Sequence, residues 1–502
     1  MTKPPQTNPG RSPGSAPRLT PVTPDVTPGV THDAVVIVPG IMGSELYDTV
    51  TGTVLWGLAH PQWLAKAWLT RDGLAPLRLT PEEQAGEYGR IRPRRLLRTP
   101  VWIPFVRGIE PYHKLTRAIE ETVAHPDAVL PFPYDWRLPV EVNARLLAAE
   151  ARRHLERWRG HPAHTAARRR ALDEREGRLV FVAHSMGGLV THAALTLGFD
   201  DDLAADTRGV MTLGTPFRGS VVAASILNAA QGAPLPLPHR RLAALAAAMP
   251  GVHDLLPRFV CLEEGAGARR LAPSDVGALG GDEELAKSSG EFFARLARHE
   301  LPRHRPVAGV HQDTVQSLRL ENGEVLASEY CFRTHRDGEL RRDENGVALR
   351  FGARGDGTVH RDSASPKGGA VPIALQHGAL ASGGAARHAV VDFLLEEDDL
   401  GPDQAGEGLG LTVPDYVTPG ADWSLRITGT DDPSGIDCTV ASVDGPVRRP
   451  VRPYAEDGDA LTADVALPEA GLYRITVEAD RLPSPLTQLV FAGPDGTRPA
   501  ES

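Results

Sequence analysis

One serine of this 502-residue chain lies in a sequence context typical of an enzymatic nucleophile. Ser185 follows the apolar residues 179–182, with Ala183 two positions before it and Gly187 two positions after it. A serine on a tight strand-to-helix turn needs such small neighbours, because other chain segments pass close to the turn. Residues 188–195 can continue as a helix. The pattern predicts a nucleophile elbow, and a plain turn between a core strand and a core helix is the alternative.

A serine hydroxyl is a poor nucleophile at neutral pH, so Ser185 requires a histidine base and a carboxylate that orients the histidine. In sheets that carry a nucleophile elbow, the order along the chain is serine, acid, histidine. Asp356 is the best candidate for the acid, because it follows the strand-like residues 347–351 and flanking glycines allow a tight loop. An Asp-Gly pair is also a common plain turn.

Three histidines compete for the role of the base. His377 follows the strand-like residues 371–375 and precedes a loop, a setting that suits a catalytic histidine. His388 is the rival, but it starts an apolar helix, where a histidine is more often a surface or capping residue. His360 is too close to Asp356 in sequence to be oriented easily against it. The sequence therefore favours His377.

Short β-branched and apolar runs alternate with helical patterns before residue 396. Residues 142–158 carry apolar side chains at helical spacing, and Gly160 ends the pattern. This alternation predicts an α/β protein with a parallel sheet flanked by helices. The predicted strands are 34–38, 128–132, 179–182 and 209–214.

Two segments interrupt this alternation. Residues 55–110 are rich in tryptophan, which predicts either a cap over the site or a satellite cluster packed against the main core. Residues 221–300 are a second candidate for cap segments. Residues 315–330 alternate around Asn322 and Gly323, and this signal predicts a hairpin at the edge of the sheet.

The composition changes after residue 395. Residues 410–496 consist of short alternating segments with Gly, Pro and Asp turns, which predicts a β-sandwich. Because the candidate catalytic residues all precede it, we expect the sandwich to be separable, with a structural or docking role. The predicted organisation is a disordered proline-rich leader over 1–31, a catalytic domain over 32–397 and the sandwich over 410–496.

Composition narrows the functional classes. The formal net charge is −10 and no dense Lys/Arg block stands out except residues 168–170, which lie in a charge-mixed segment. This charge pattern argues against nucleic acid as a partner. The three cysteines, Cys261, Cys331 and Cys438, are far apart and suggest buried small residues rather than disulfides or a metal site. We expect neither a metal nor another cofactor.

No secretory signal or transmembrane run is evident, so the expected location is the cytoplasm.

Five strings of residues together resemble the lecithin:cholesterol acyltransferase family. The Tyr-Asp-Trp-Arg string and the Gly-Asp-Gly-Thr-Val string are the specific ones, whereas many hydrolases share the elbow. The resemblance covers about residues 34–396 and implies the α/β-hydrolase fold. The strings occupy residues 38–44, 133–138, 183–188, 214–220 and 355–359.

The resemblance implies Ser185 as the nucleophile, Asp356 as the acid and His377 as the base. It also implies an oxyanion hole from the backbone N–H groups of Ile41 and Met186, in agreement with the general architecture of nucleophile elbows. The implied reaction is hydrolysis of, or acyl transfer from, a lipid-type ester through an acyl-enzyme on Ser185. The implied partners are a lipid or other acyl-ester substrate and a transiently contacted membrane surface.

Two other functions stay open at this point. The chain could hydrolyse small esters or thioesters, which require the same catalytic residues. It could also be a catalytically idle scaffold that uses the β-sandwich for docking, although the complete set of candidate residues argues against this. The extracellular animal members of the family carry signal peptides and disulfides that this sequence lacks, so their lipoprotein and lysosomal settings do not transfer.

Overall fold

A computed structural model describes most of the chain. The predicted leader falls almost entirely outside the described residues, because residues 1–29 are not among them. Residues 397–407, between the two predicted domains, also lie outside. The described residues are 30–58, 61–70, 72–171, 175–200, 202–229, 236–335, 337–365, 367–396, 408–456 and 458–494.

A six-stranded sheet lies at the centre of the α/β part, and all of its pairings are parallel. The predicted central parallel sheet is therefore confirmed. Its strands lie side by side in the order Val371–Ile373, His304–Gly309, Thr207–Leu213, Leu179–His184, Ala34–Val38 and Val129–Pro131.

The register of the inner strands brings three loops together. Val38 pairs with Ala183, and His184 pairs with Leu213, so the strands end at nearly the same level. Every residue of Ala34–Val38, Leu179–His184 and Thr207–Leu213 is buried, as expected for strands covered on both faces. The loops that follow them emerge at the carboxyl edge of the sheet, the usual place for functional side chains in open parallel sheets.

Helices cover the sheet. Val140–Arg159 packs against Met186–Thr196, and its C-cap is Gly160 as the sequence predicted. In the described ranges no helix has the length and apolar character needed to cross a membrane. The other α-helices are Pro61–Leu69, Pro81–Gln84, His113–Glu120, Pro162–Arg168, Val221–Asn228, Leu237–Ala246, Pro250–His253, Pro273–Ala278, Glu283–Leu296, Arg361–Ala364 and Gly384–Leu395, and the 3-10 helices are Ala75–Leu77, Pro126–Ala128 and His377–Ala379.

The hairpin around Asn322 and Gly323 forms, but its predicted place was wrong. Its strands, Ser317–Glu321 and Glu324–Ser328, do not extend the central sheet. The backbone N–H of Leu318 donates to the Cys261 carbonyl at 2.8 Å, which joins the hairpin to a separate small sheet. The other strands of the small sheets are Ser44–Asp48, Val54–Trp56, Ile91–Leu96, Leu262–Glu264, Gly267–Arg269, Cys331–Phe332 and Arg350–Phe351.

The tryptophans of residues 55–110 pack edge to face in one buried row. The ring of Trp56 lies 6.1 Å from that of Trp68, which lies 5.6 Å from that of Trp102. All three belong to the same apolar cluster as the central strands. Trp56 also donates its indole N–H to the Met42 carbonyl at 2.8 Å. This part of the chain therefore packs into the main core.

Residues 410–492 form two mostly antiparallel sheets around a second apolar cluster. Buried side chains from both sheets, including Ile427 and Ile475, fill this cluster. The boundaries of a separate C-terminal domain stay a prediction. One sheet contains Gly410–Thr412, Asp422–Thr428, Ala460–Ala466 and Tyr454–Glu456, and the other Tyr416–Val417, Leu486–Ala492, Gly471–Ala479, Ile436–Ser442 and Arg448–Val451.

The C-terminal sheets are joined to the α/β part by buried contacts. Leu489 and Phe491 belong to the main apolar cluster. Arg474 forms two hydrogen bonds with Glu110, at 2.7 and 2.8 Å. The side-chain amide of Gln376, next to the candidate base, donates to the Leu411 carbonyl at 3.1 Å.

Candidate active site

Ser185 occupies a strained turn between a buried strand and a helix. It directly follows the strand Leu179–His184 and caps the helix Met186–Thr196, with φ 51° and ψ −127°. A non-glycine residue in such a region costs about 1–3 kcal/mol and persists only where its surroundings hold it. Its N–H donates to the Leu213 carbonyl at 2.9 Å, and its carbonyl accepts from the Thr215 hydroxyl at 2.9 Å.

The neighbouring glycines allow the backbone to pass close to the turn. A Cβ at position 187 would lie 2.4 Å from the Pro39 carbonyl oxygen. A Cβ at position 188 would lie 2.0 Å from the Thr215 hydroxyl oxygen. Because real Cβ contacts do not approach this closely, Gly187 and Gly188 are required by the packing of the loops around Ser185.

The structure brings the three predicted catalytic side chains together. His377 Nε2 lies 2.8 Å from Ser185 Oγ, and His377 Nδ1 lies 2.7 Å from Asp356 Oδ2. All three residues are buried. With Nδ1–H donated to the carboxylate, Nε2 is the ring nitrogen left to accept the serine proton.

The loop around Asp356 orients its carboxylate. Asp356 Oδ1 accepts hydrogen bonds from the N–H groups of Thr358 and Val359, at 2.9 and 2.7 Å. This leaves Oδ2 for the imidazole of His377. The N–H of His377 also donates to the Asp356 carbonyl at 2.8 Å, so acid and base are held through both side chain and backbone.

The competing histidines lie elsewhere. His388 is exposed on the helix Gly384–Leu395, which follows the turn of His377. His360 is buried close to the Asp356 loop, and the described residues offer its Nε2 no hydrogen-bond partner. Neither histidine makes a hydrogen bond to Ser185 or Asp356 in the described part of the chain.

The two predicted oxyanion donors belong to loops beside Ser185. Met186 is the first residue of its helix, so its N–H has no intrahelical acceptor. Ile41 follows Gly40, where an added Cβ would lie 2.8 Å from Ser185 Cβ. The hydrogen bonds recorded among the described residues use neither amide. Both N–H groups are therefore free to serve a substrate oxygen.

Two buried residues that sequence reasoning missed connect the loop of Gly40 and Ile41 to the candidate base His377. This loop is called the oxyanion loop, after its predicted role. Tyr112 Oη accepts a hydrogen bond from the N–H of Gly40 at 2.9 Å and lies 2.8 Å from His184 Nδ1. His184 Nε2 lies 3.0 Å from the carbonyl oxygen of His377. A carbonyl only accepts, so Nε2 carries the proton and Nδ1 accepts from the tyrosine hydroxyl.

Both groups of this connection stay neutral. Burial, with a smaller contribution from the charge of His377, lowers the pKa of His184 to about 3. Burial also raises the pKa of the Tyr112 phenol above its ordinary value. The proximity of His184 to the nucleophile was visible in the sequence, but no sequence signal links Tyr112 to either residue. The pair holds the backbone of the base and of the oxyanion loop in fixed relative positions.

We expect Tyr112→Phe to lower kcat, by up to about a hundredfold, with little change in KM. The variant leaves the Gly40 N–H and His184 Nδ1 without their partner, so the oxyanion loop and the base lose their fixed spacing. Steady-state kinetics on a soluble ester measure the effect. Tyr88→Phe is the matched control, because it removes a tyrosine hydroxyl whose partner is Asn143. Equal kcat values in the two variants would contradict the positioning role.

The Tyr-Asp-Trp-Arg string is buried next to the loop that follows the strand Ala34–Val38. The guanidinium of the fully buried Arg137 forms two hydrogen bonds with Asp135, at 2.9 and 2.6 Å, and two with Glu83, at 3.1 and 3.4 Å. Tyr134 donates its hydroxyl to the Pro39 carbonyl at 2.9 Å. The string therefore holds the oxyanion loop in place through a hydrogen bond and contributes no reacting group.

One cluster in the described ranges has the side chains and spacing to hold a metal ion. It consists of His125, Asp127 and His161, whose ligand atoms lie within 4.8 Å of one another. Asp127 lies just before the strand Val129–Pro131. That is the amino edge of the parallel sheet, opposite the edge that carries Ser185.

Comparison with known proteins supports the predicted family resemblance. Residues 105–268 match the family model described as "Lecithin:cholesterol acyltransferase". This range contains the Tyr-Asp-Trp-Arg string and Ser185, whereas Asp356 and His377 lie beyond it. The resemblance stated from the sequence is confirmed over these residues.

Other comparisons are more distant. No curated protein matches the chain significantly. A solved structure described as "The crystal structure of Tle4-Tli4 complex" is similar at 13% identity, with a TM-score of 0.44. The alignment covers 72% of this chain and 98% of that one.

Proposed function

We propose that this chain, which matches the lecithin:cholesterol acyltransferase family over residues 105–268, is a serine acyl-ester hydrolase or acyltransferase. The observation that carries the proposal is the hydrogen-bonded series from Asp356 through His377 to Ser185. A strained turn presents the serine, and two unused backbone N–H groups lie in the loops beside it. A lipid-type acyl ester is the proposed substrate class, on the strength of the family match.

The proposed chemistry has two stages. Ser185 Oγ attacks the ester carbonyl while His377 Nε2 takes the serine proton, and a tetrahedral oxyanion forms. Asp356 stabilises the imidazolium. The C–O bond to the alcohol then breaks, His377 gives its proton to the leaving alcohol, and an acyl-serine remains. Water or a second alcohol attacks this acyl-enzyme by the reverse proton transfers, which gives hydrolysis or acyl transfer.

A cap over the site is part of the proposal. The backbone N–H of Glu110 donates to the Gly378 carbonyl at 3.2 Å, directly beside the base. A Cβ at position 378 would lie 2.1 Å from the Gly108 carbonyl oxygen. The end of residues 55–110 is thus packed on the turn that carries His377, which supports a role for this segment in covering the site.

Chromogenic esters with acyl chains of increasing length test the proposed function. We expect release of the alcohol to depend on Ser185 and to begin with a burst when deacylation is the slower stage. Adding an alcohol acceptor distinguishes transfer from hydrolysis, because transfer yields a new ester. Release no faster than that of the Ser185→Ala chain with every ester would refute the proposal, while a preference for short esters would favour the small-ester alternative.

The oxyanion hole yields a separate prediction. Met186→Pro removes the backbone donor, and proline is tolerated at the first position of a helix. Because fixed N–H groups stabilise the oxyanion, we expect kcat to fall about a hundredfold to a thousandfold. Ile41→Ala keeps its backbone donor and should retain much of the activity.

Circular dichroism must show that the Met186→Pro chain is folded, because Ser185 already has a strained backbone. A folded Met186→Pro chain with normal kcat would exclude this donor. A folded Ile41→Ala chain without activity would show that the side chain is the working group at that position.

A further inference from the structure

A strongly basic pocket lies next to the candidate active site. Its volume is about 570 Å³, and one of its lining residues, Asp362, is acidic. The basic side chains that line it are Arg218, Arg258, Arg270, Arg333, Arg341, His335 and His360.

Two loops that form the pocket lie beside the candidate catalytic residues. Arg218 lies on the loop whose Thr215 hydroxyl donates to the Ser185 carbonyl. His360 follows the Asp356 loop, and the backbone of Gly355 forms a bridge with it. The pocket is thus adjacent to the site but contains none of the three reacting side chains.

The arginines of this pocket differ from their neighbours in their pairing. Arg269 is paired with Glu264 and Asp275. By contrast, the ion pairs recorded for the described residues include none of Arg258, Arg270, Arg333 and Arg341. In a chain with net charge −10, acidic partners are abundant, so the excess of positive charge is a local property of the pocket.

Two largely buried groups of the pocket have hydrogen-bonding capacity that the described residues do not use. Arg258 Nε has no partner there, although its guanidinium lies 3.8 Å from the ring centroid of Phe293. Burial, opposed by the charge of Asp254, lowers the pKa of Arg258 to about 10, so it stays protonated at neutral pH. His360 Nε2 is also without a partner.

We propose that this pocket binds a phosphate group. Guanidinium groups recognise phosphate through paired, charge-assisted hydrogen bonds, and several of them around one cavity suit a tetrahedral oxyanion better than a single planar carboxylate. The phosphate is carried either by a free phosphate ion or by a lipid head group. The inference does not depend on the catalytic role proposed for Ser185.

Two binding arms test the proposal on the full chain at an ionic strength of about 0.15 M. The first is calorimetric titration with inorganic phosphate. The second is cosedimentation with phosphatidylcholine vesicles, with and without phosphatidic acid, in the Ser185→Ala chain so that hydrolysis consumes no lipid. Binding in the first arm identifies free phosphate as sufficient. Binding confined to vesicles that contain phosphatidic acid identifies the head group.

The decisive variant is Arg270→Gln with Arg341→Gln, because both side chains are exposed and their loss should leave the fold intact. We expect it to weaken binding at least about tenfold in whichever arm shows binding. The control is Arg269→Gln with Arg319→Gln, which removes the same charge from paired, partly exposed arginines outside the pocket.

Thermal unfolding verifies that both double variants are folded. Should the first not fold, Arg333→Gln alone replaces it, because Arg333 is also exposed. Binding that is unchanged in the pocket variant, or weakened equally in the control, would overturn the proposal. The absence of binding in both arms would also overturn it.

Discussion

Ser185→Ala is expected to lower ester turnover by about 10⁴- to 10⁶-fold without unfolding the chain. In the proposed mechanism Oγ is the atom that forms the acyl-enzyme, and His377 and Asp356 act through it. Alanine fits the turn, because Ser185 makes its structural hydrogen bonds to Leu213 and Thr215 through the backbone. Steady-state kinetics on a soluble ester measure the loss, and circular dichroism verifies the fold.

The partners of the serine should show effects of the same kind. His377→Ala should match Ser185→Ala in severity, because a base and its nucleophile act as a unit. Asp356→Asn should also be severe, since an amide no longer fixes the required tautomer of the imidazole. His388→Ala is the matched control and should be mild, because His388 is exposed on a helix. If the His388→Ala chain were inactive and the His377→Ala chain active, His388 would be the base. The proposed enzyme class would not change.

A chain that ends at Glu396 is expected to be unfolded or insoluble. The sequence predicted a separable C-terminal unit, and the contacts in the structure lead to the opposite expectation. Trp102 donates its indole N–H to the Asp415 carbonyl at 2.8 Å, and its ring lies 5.1 Å from that of Phe491. The N–H of Phe105 donates to the Asp415 carboxylate at 2.7 Å.

Truncation would expose to water an apolar surface that now lies in the interior, including the ring of Trp102. Burial of one large apolar side chain stabilises a fold by about 1.5–3 kcal/mol. Loss of several such contacts is a large part of the stability of a domain, which is only about 5–15 kcal/mol in total. Gln376, beside the base, would lose both Leu411 and Gln488 as partners, at 3.1 and 3.0 Å. The site should therefore be lost together with the fold.

Expression, circular dichroism and ester turnover of the shortened chain check this expectation. A chain that lacks residues 1–29 is the control for truncation, because the proline-rich sequence there predicts no contribution to the core. A soluble, folded chain ending at Glu396 with full activity would restore the idea of a separable unit. If the chain that lacks residues 1–29 also lost activity, the loss in the chain ending at Glu396 could not be assigned to its missing C-terminal contacts.

Local sequence signals predicted the parts of the site that depend on short segments. The elbow needs a buried strand, small residues and a helix in one continuous stretch, so Ser185 was visible without a structure. The order of acid and histidine then limited the partners to few positions. Asp356 and His377 lie 21 residues apart, and each carries a local strand-then-loop pattern.

What the sequence could not predict depends on contacts between distant segments. Tyr112 reaches Gly40 and His184 across 72 residues each, and a lone tyrosine carries no signal for such a role. The place of the Asn322 hairpin was wrong for the same reason, because a turn signal specifies the hairpin but not the strand that it joins. The separability of residues 410–496 was inferred from composition, which does not reveal the buried contacts of Asp415.

The central claim is that Ser185 is an activated nucleophile, and covalent labelling tests it most directly. The full chain is treated with a fluorophosphonate probe, and mass spectrometry of the intact and digested protein locates the adduct. We predict one adduct per chain, on Ser185, that is absent from Ser185→Ala and strongly slowed in His377→Ala. A folded wild-type chain that stays unlabelled, or an adduct on another serine, would contradict the account.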